Sequence, residues 1–163
     1  MQGVGMTDRA NANAMVGTWR LVSCTLHDGG RANHPYGANP AGFLTYTPDG
    51  RMSVMFGDPN RAALENPDWR QNADENVAAA ARTFIAYCGT YDLRDGEVSH
   101  HVAVSLIPNW IGQTLTRRVI LEGDSLTLAT PEMLVDGRMQ TATLTWRRVE
   151  LLGRRVRQSD TAS

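Results

Sequence analysis

Cysteine is nearly absent: the 163 residues contain two, Cys24 and Cys88, far apart and without a CxxC pair or any companion cluster of ligands. That excludes a disulfide-stapled scaffold and a thiolate metal site, and leaves both as reduced, buried small hydrophobes. No apolar run approaches the roughly 20 residues that a membrane-spanning helix needs, and the first residues lack a signal peptide's apolar centre. A cytoplasmic protein without a membrane partner is therefore expected. Net charge is lacking too, since the formal value is −1, so no whole-molecule field points to nucleic acid or an anionic surface. Phosphate-binding loops, a nucleophile elbow and the dinucleotide fingerprint are all missing, and Gly29-Gly30 is only a turn. What remains is a small organic molecule as the default partner, with no cofactor expected.

The length suits one domain. Half of residues 1–14 are Gly, Asn or Ala, with few large apolar side chains among the rest, and the segment is expected to be structureless. Residues 151–163 carry Arg154, Arg155 and Arg157 before a polar end, and read as a solvated basic tail rather than a nucleic-acid contact. The folded domain is expected over 15–150.

Within it, turn signals recur between candidate strands: Asp28-Gly29-Gly30, Pro48-Asp49-Gly50, Asp95-Gly96, Glu122-Gly123-Asp124 and Asp136-Gly137. Asp-Gly pairs supply the positive φ of tight hairpins, so the flanking runs should pair antiparallel with their neighbours. Candidate strands are 18–27, 42–47, 52–56, 89–93, 98–107, 113–121, 125–129 and 139–148, with a short extra piece near 32–36. The fold class is all-β: an up-and-down antiparallel barrel of about 8–10 strands, because closure removes exposed edges. One helix interrupts it, over about 73–88, where Val77, Ala81, Phe84, Ile85 and Cys88 recur at helical spacing. It should lie across a mouth or flank of the barrel as a plug or lid.

The most informative stretch runs from Val98 to Gly112. Alternation puts Val98, His100, Val102, Val104 and Leu106 on one face, and Pro108 then stops the strand at a corner holding Trp110. Parity in the other strands adds an inner set: Leu44 and Tyr46; Met52, Val54 and Phe56; Leu115, Arg117, Val119 and Leu121; Ala142, Leu144 and Trp146. Polar side chains intrude at Tyr46, His100 and Arg117. An inward guanidinium needs a partner or water, which favours a cavity, although a one-residue slip would exchange Arg117 for Arg118. His100 and His101 cannot chelate one ion, since adjacent strand residues face opposite ways, so no metal is expected. Trp19 and Trp146 are candidate barrel-closure residues, and Trp110 is placed at the cavity entrance.

Gly17-Thr-Trp-Arg-Leu21, Gly42-Phe-Leu-Thr-Tyr-Thr-Pro-Asp-Gly-Arg-Met52, Tyr87-Cys-Gly-Thr-Tyr91, His100-His-Val102 with Pro108-Asn-Trp-Ile-Gly112, Arg117 or Arg118, and Leu126-Thr-Leu128 together resemble the bacterial lipocalin-like domain family. The resemblance runs from about Val16 to Arg148. It implies a calycin-type barrel with an inserted helix, and some relatives near natural-product pathways where such barrels serve as cofactor-free cyclases or isomerases. It supplies no agreed catalytic set, so no role transfers to His100 or Arg117.

The first functional expectation is a binding module for one largely apolar organic molecule, polyketide-like or lipid-like. Tyr46, His100 and Arg117 would orient it among Leu44, Met52, Val54, Phe56, Val102, Val104, Leu115, Trp146, Trp110 at the rim, and Phe84 from the helix. The alternative is a cofactor-free cyclase or isomerase in the same cavity, with His100 moving a proton and Arg117 or Tyr46 stabilising developing charge. Haem on His100 ranks third. The reading allows a homodimer.

Overall fold

The computed structural model describes residues 6–150. The strands are β1 (Gly17–Asp28), β2 (Arg31–Asn33), β3 (Ala41–Tyr46), β4 (Arg51–Gly57), β5 (Phe84–Arg94), β6 (Glu97–Ser105), β7 (Thr114–Glu122), β8 (Ser125–Ala129), β9 (Met133–Val135) and β10 (Arg138–Arg148). The wall runs β1-β3-β4-β5-β6-β7-β8-β10, and β10 pairs back onto β1 from Trp19↔Arg148 to His27↔Thr141, which closes the ring. Short β2 and β9 extend β1 and β10 at one end. Asp95-Gly96 and Asp136-Gly137 both carry positive φ at each residue, the backbone that matches hairpin twist to strand twist. Strand β9 was not expected, and the piece read near 32–36 is strand only to Asn33.

Parity holds along most strands, and the core is the set of inward residues from Trp19 and Leu21 round to Leu144 and Trp146. It breaks in β6. There Gly89 pairs with Val102 while Cys88 pairs with Val104, so Ala103 is an extra residue in the ladder. This bulge reverses the alternation. Val104 and Leu106, expected inside, are exposed at 62% and 43%. Gly89 is what allows it: a Cβ there would lie 1.9 Å from the His101 carbonyl oxygen.

The inserted helix is shorter than its spacing suggests. Helix α2 here covers Asp74–Arg82, and Thr83 ends it, its Oγ1 donating to the Ala79 and Ala80 carbonyls, each at 3.1 Å. Phe84 to Cys88 belong instead to β5, where pairing with β4 from Gly57↔Phe84 onward satisfies their backbone. No residue of α2 is buried; it packs against β5 from outside and does not plug the barrel. In the approach to α2, Asp68 caps a single 3-10 turn over Trp69–Gln71.

The helix that closes an end lies at the other terminus. Residues 6–14 were expected to be structureless, yet Met6–Met15 is helical; residues 1–5 lie outside the described span, as does the proposed tail at 151–163. This helix, the first in the chain, crosses the barrel end where β1 begins. Met15 is fully buried there and its carbonyl accepts from Trp19 Nε1 at 2.8 Å, while Asp8 accepts from the Asp95 amide at 3.1 Å in the β5–β6 turn. Arg148 locks the junction. Its guanidinium stacks 4.1 Å over the Trp19 ring, donates to the carbonyls of Val16 (2.9 Å) and Ala14, and pairs with Asp124 at 3.3 Å. Arg148→Ala is therefore expected to cost about 2 kcal/mol in urea unfolding, well above an ordinary surface arginine, because stacking and carbonyl capping are lost together. A loss under about 0.5 kcal/mol would show that the junction contributes no more than an exposed ion pair. Among the described residues no helix is long and apolar enough to cross a membrane.

Candidate functional site

Three of the polar side chains inside the barrel form one hydrogen-bonded chain. His100 is 1% exposed and accepts or donates on both ring nitrogens: Tyr46 Oη lies 2.7 Å from Nε2, and Tyr87 Oη lies 3.0 Å from Nδ1. Strand pairing brings these three together. Tyr46 ends β3, His100 sits on β6 opposite Tyr91, and Tyr87 lies on β5 opposite Ser105, just beyond the bulge. The register also settles the choice of arginine. Arg117 pairs with inward Val98 and so faces in, whereas Arg118 pairs with outward Glu97.

Burial, then the Arg117 charge, then His101, hold His100 down to about 3, so its imidazole is neutral. Burial raises Tyr46 and Tyr87 above the ordinary phenol range, and the Arg117 charge opposes both shifts. A neutral imidazole carries one N–H and one lone pair. One tyrosine therefore donates to it and the other accepts from it, and the accepting tyrosine keeps an O–H with no partner among the described residues. Tyr46 is sealed at 1% exposure, whereas Tyr87 is 8% exposed and its ring meets Trp110 edge to face at 5.7 Å. A stranded O–H costs least at the more accessible phenol. That assigns Tyr46 as donor to Nε2, Nδ1–H as donor to Tyr87, and a free Tyr87 O–H.

Arg117 is half-buried and donates to the Thr116 carbonyl at 2.8 Å. Among the described residues no carboxylate lies within ion-pairing distance of it. Its neighbours on the inner face of β7, Leu115, Val119 and Leu121, are also only half-buried, while Leu126 and Leu128 opposite Leu121 and Val119 are buried. The inner face of β7 is thus a half-buried run with Arg117 in its middle.

Leu44, Met52, Val54, Phe56, Val102 and Trp146 are buried inside as expected. Leu115 faces in opposite His100, and Trp110 packs at the rim from a 3-10 turn over Pro108–Trp110. Two expected lining residues fall elsewhere. Val104 is outside because of the bulge. Phe84 is on β5 with parity opposite to Tyr87, under the Arg61 guanidinium at 4.7 Å; it lines an open groove of about 430 Å³ between α2 and the outer wall, away from the tyrosine chain. His101 is outside as well, between Asp92 (2.6 Å) and Thr114 (3.0 Å). Tyr87 was missed as a site residue. Its signal was the alternation Ile85, Tyr87, Gly89, Tyr91, Leu93.

The profile of the lipocalin-like domain family matches residues 16–149, which is the whole barrel with its inserted helix. The chain belongs to the lipocalin-like domain family. A relative of this lipocalin-like domain is the 4'-hydroxy-3'-methoxypropiophenone carrier protein of Aspergillus oryzae, 36% identical over 110 residues, covering 62% of this chain and 99% of the relative.

Proposed function

We propose that this lipocalin-like domain binds and carries a small, largely apolar, polyketide-like aromatic ketone, with the carbonyl oxygen held inside the barrel by Tyr87 and Arg117. The observation that carries this reading is an inward Arg117 guanidinium that has no carboxylate partner among the described residues; the hydrogen-bond assignment at His100 adds the Tyr87 O–H. Two donors converging in an apolar wall are the usual form of a small-molecule site. The ligand named for the Aspergillus oryzae relative has matching chemistry, an aryl ring bearing a ketone. The sequence contains no lysine, so no side-chain amine can trap a ketone as an imine, and the cargo would leave unchanged. The proposed setting is cytoplasmic.

Tryptophan fluorescence titration with 4'-hydroxy-3'-methoxypropiophenone tests it, Trp110 lying against Tyr87. Saturable binding is expected, weakened about tenfold by Tyr87→Phe through loss of one neutral hydrogen bond, and about 10- to 100-fold by Arg117→Gln through loss of a charged one. No saturation by the wild-type chain, or unchanged affinity in both variants, would overturn the proposal.

One observation supports the alternative of a cofactor-free isomerase or cyclase: the Tyr–His–Tyr hydrogen-bond chain can hand the Tyr87 proton to the ketone oxygen as solvent water takes the α-proton, with Arg117 stabilising the charge that develops on that oxygen. Because both nitrogens of His100 are engaged by phenols, it would act through Tyr87 rather than on substrate directly. Exchange of the ketone's α-protons in D2O separates the two. Acceleration that disappears in His100→Gln identifies an enzyme; exchange at the solvent rate leaves a carrier.

A further inference from the structure

The barrel holds another polar atom that its own fold does not use. Trp146 is 1% exposed and points inward from β10, and its indole Nε1 has no hydrogen-bond partner among the described residues. Trp19, by contrast, spends its N–H on the Met15 carbonyl. A buried donor left without an acceptor is costly, and buried indoles ordinarily find one. The surroundings of Trp146 are aromatic: the Phe56 ring stands at 82° to it with centroids 6.1 Å apart, and Tyr36 stands at 88° to Phe56 at 5.1 Å. Edge-to-face packing of this kind also suits a flat aromatic guest, and the Tyr36 phenol is the other donor in this group of rings.

We propose that Trp146 Nε1 is a specificity contact that donates to an oxygen substituent, hydroxyl or alkoxy, on the ligand's aromatic ring. The proposal rests on the aryl-ketone reading above and narrows it. Tyr87 and Arg117 would take the carbonyl, Trp146 would take the ring oxygen, and an unsubstituted aryl ketone would satisfy only the first. Gln140 does not compete for this role. Its Nε2 is bound to the Val135 carbonyl at 3.0 Å and its Oε1 is also unpartnered among the described residues, but it lies at the far end of β10, about 20 Å along the strand, and is an acceptor.

The experiment records the indole N–H resonances of the 15N-labelled full chain with three probes: propiophenone, 4'-hydroxypropiophenone and 4'-hydroxy-3'-methoxypropiophenone. Trp146→Phe assigns the Trp146 signal. The ring-oxygenated ketones are expected to move that signal downfield, and propiophenone to leave it nearly in place. Wild-type chain should prefer the best oxygenated ketone over propiophenone by about tenfold, and Trp146→Phe should abolish the preference while still binding propiophenone. If the probes bind, as seen by shifts at Trp110, but the Trp146 signal stays still or the preference survives in Trp146→Phe, this inference fails and the carrier reading stands. If none of the three binds, the aryl-ketone reading itself fails and takes this one with it. Should Trp146→Phe not fold, the wild-type indole shift, assigned through the other three tryptophans, decides alone.

Discussion

Gly89→Ala is expected to destabilise the barrel by about 3 kcal/mol or more, because an added methyl has nowhere to go. The new Cβ would lie 1.9 Å from the His101 carbonyl oxygen and 3.1 Å from the Ala103 amide nitrogen. Both are backbone atoms of a strand fixed on its other edge by β7, so neither can swing aside as a side-chain tip could. Relief requires undoing the bulge, and a one-residue slip in β6 exchanges the buried and exposed faces on one side of it. Either His100 and Val102 leave the interior or Val104 and Leu106 enter it, so stability and the site fail together. Gly96→Ala is the control. It too replaces a glycine at a special position, with φ of +76° but nothing within 4 Å of the new Cβ, and should cost only about 1 kcal/mol. Urea unfolding of the two variants compares a steric clash with a purely conformational penalty, and equal losses would show that β5 and β6 do not approach as closely as described.

The second large effect is a dependence of stability on pH that belongs to His100. Its ordinary value of 6.5 is lowered to about 3 in the folded chain. Between those limits the unfolded chain binds a proton at this residue and the folded chain does not. Stability is therefore fully present above pH 6.5 and falls as pH drops toward 3, with a slope approaching about 1.4 kcal/mol per pH unit from this group. His100→Gln keeps hydrogen-bonding capacity but cannot titrate. The stability difference between wild type and His100→Gln, measured by urea unfolding from pH 7 to 4, should move steadily against the wild type as acid is added. A constant difference would mean that the imidazole is not held neutral between its two tyrosines.

Much of this architecture is legible from local chemistry. The Asp-Gly pairs at 95–96 and 136–137 fix hairpins because few other residues tolerate their φ, and parity then places Leu44, Val54, His100 and Trp146 inside. Where the reading goes astray, the deciding interaction is non-local. Val104 and Leu106 continue the alternation of β6 without interruption, so nothing within that strand announces the extra residue at Ala103; the hint is Gly89, on a different strand. Phe84, Ile85 and Cys88 recur at helical spacing while Ile85, Tyr87, Gly89 and Tyr91 alternate at strand spacing, and pairing with the edge of β4 decides for the strand. Tyr87 disappeared into that ambiguity, although its phenol lies 3.0 Å from His100 Nδ1 and belongs to the candidate site. The first helix has almost no apolar stripe of its own. Met15 anchors it, and the anchor depends on Trp19 and Arg148, which are distant from each other in sequence and adjacent only after the ring closes.

The most direct test places a 13C label on the carbonyl of 4'-hydroxy-3'-methoxypropiophenone and follows its resonance on binding. A carbonyl oxygen that accepts from the Tyr87 hydroxyl and the Arg117 guanidinium should resonate downfield of the same ketone in an apolar solvent, and Tyr87→Phe and Arg117→Gln should each move it back part of the way. A bound carbonyl whose resonance matches the apolar solvent, and does not respond to either substitution, would contradict the placement of the ketone at this pole of the barrel.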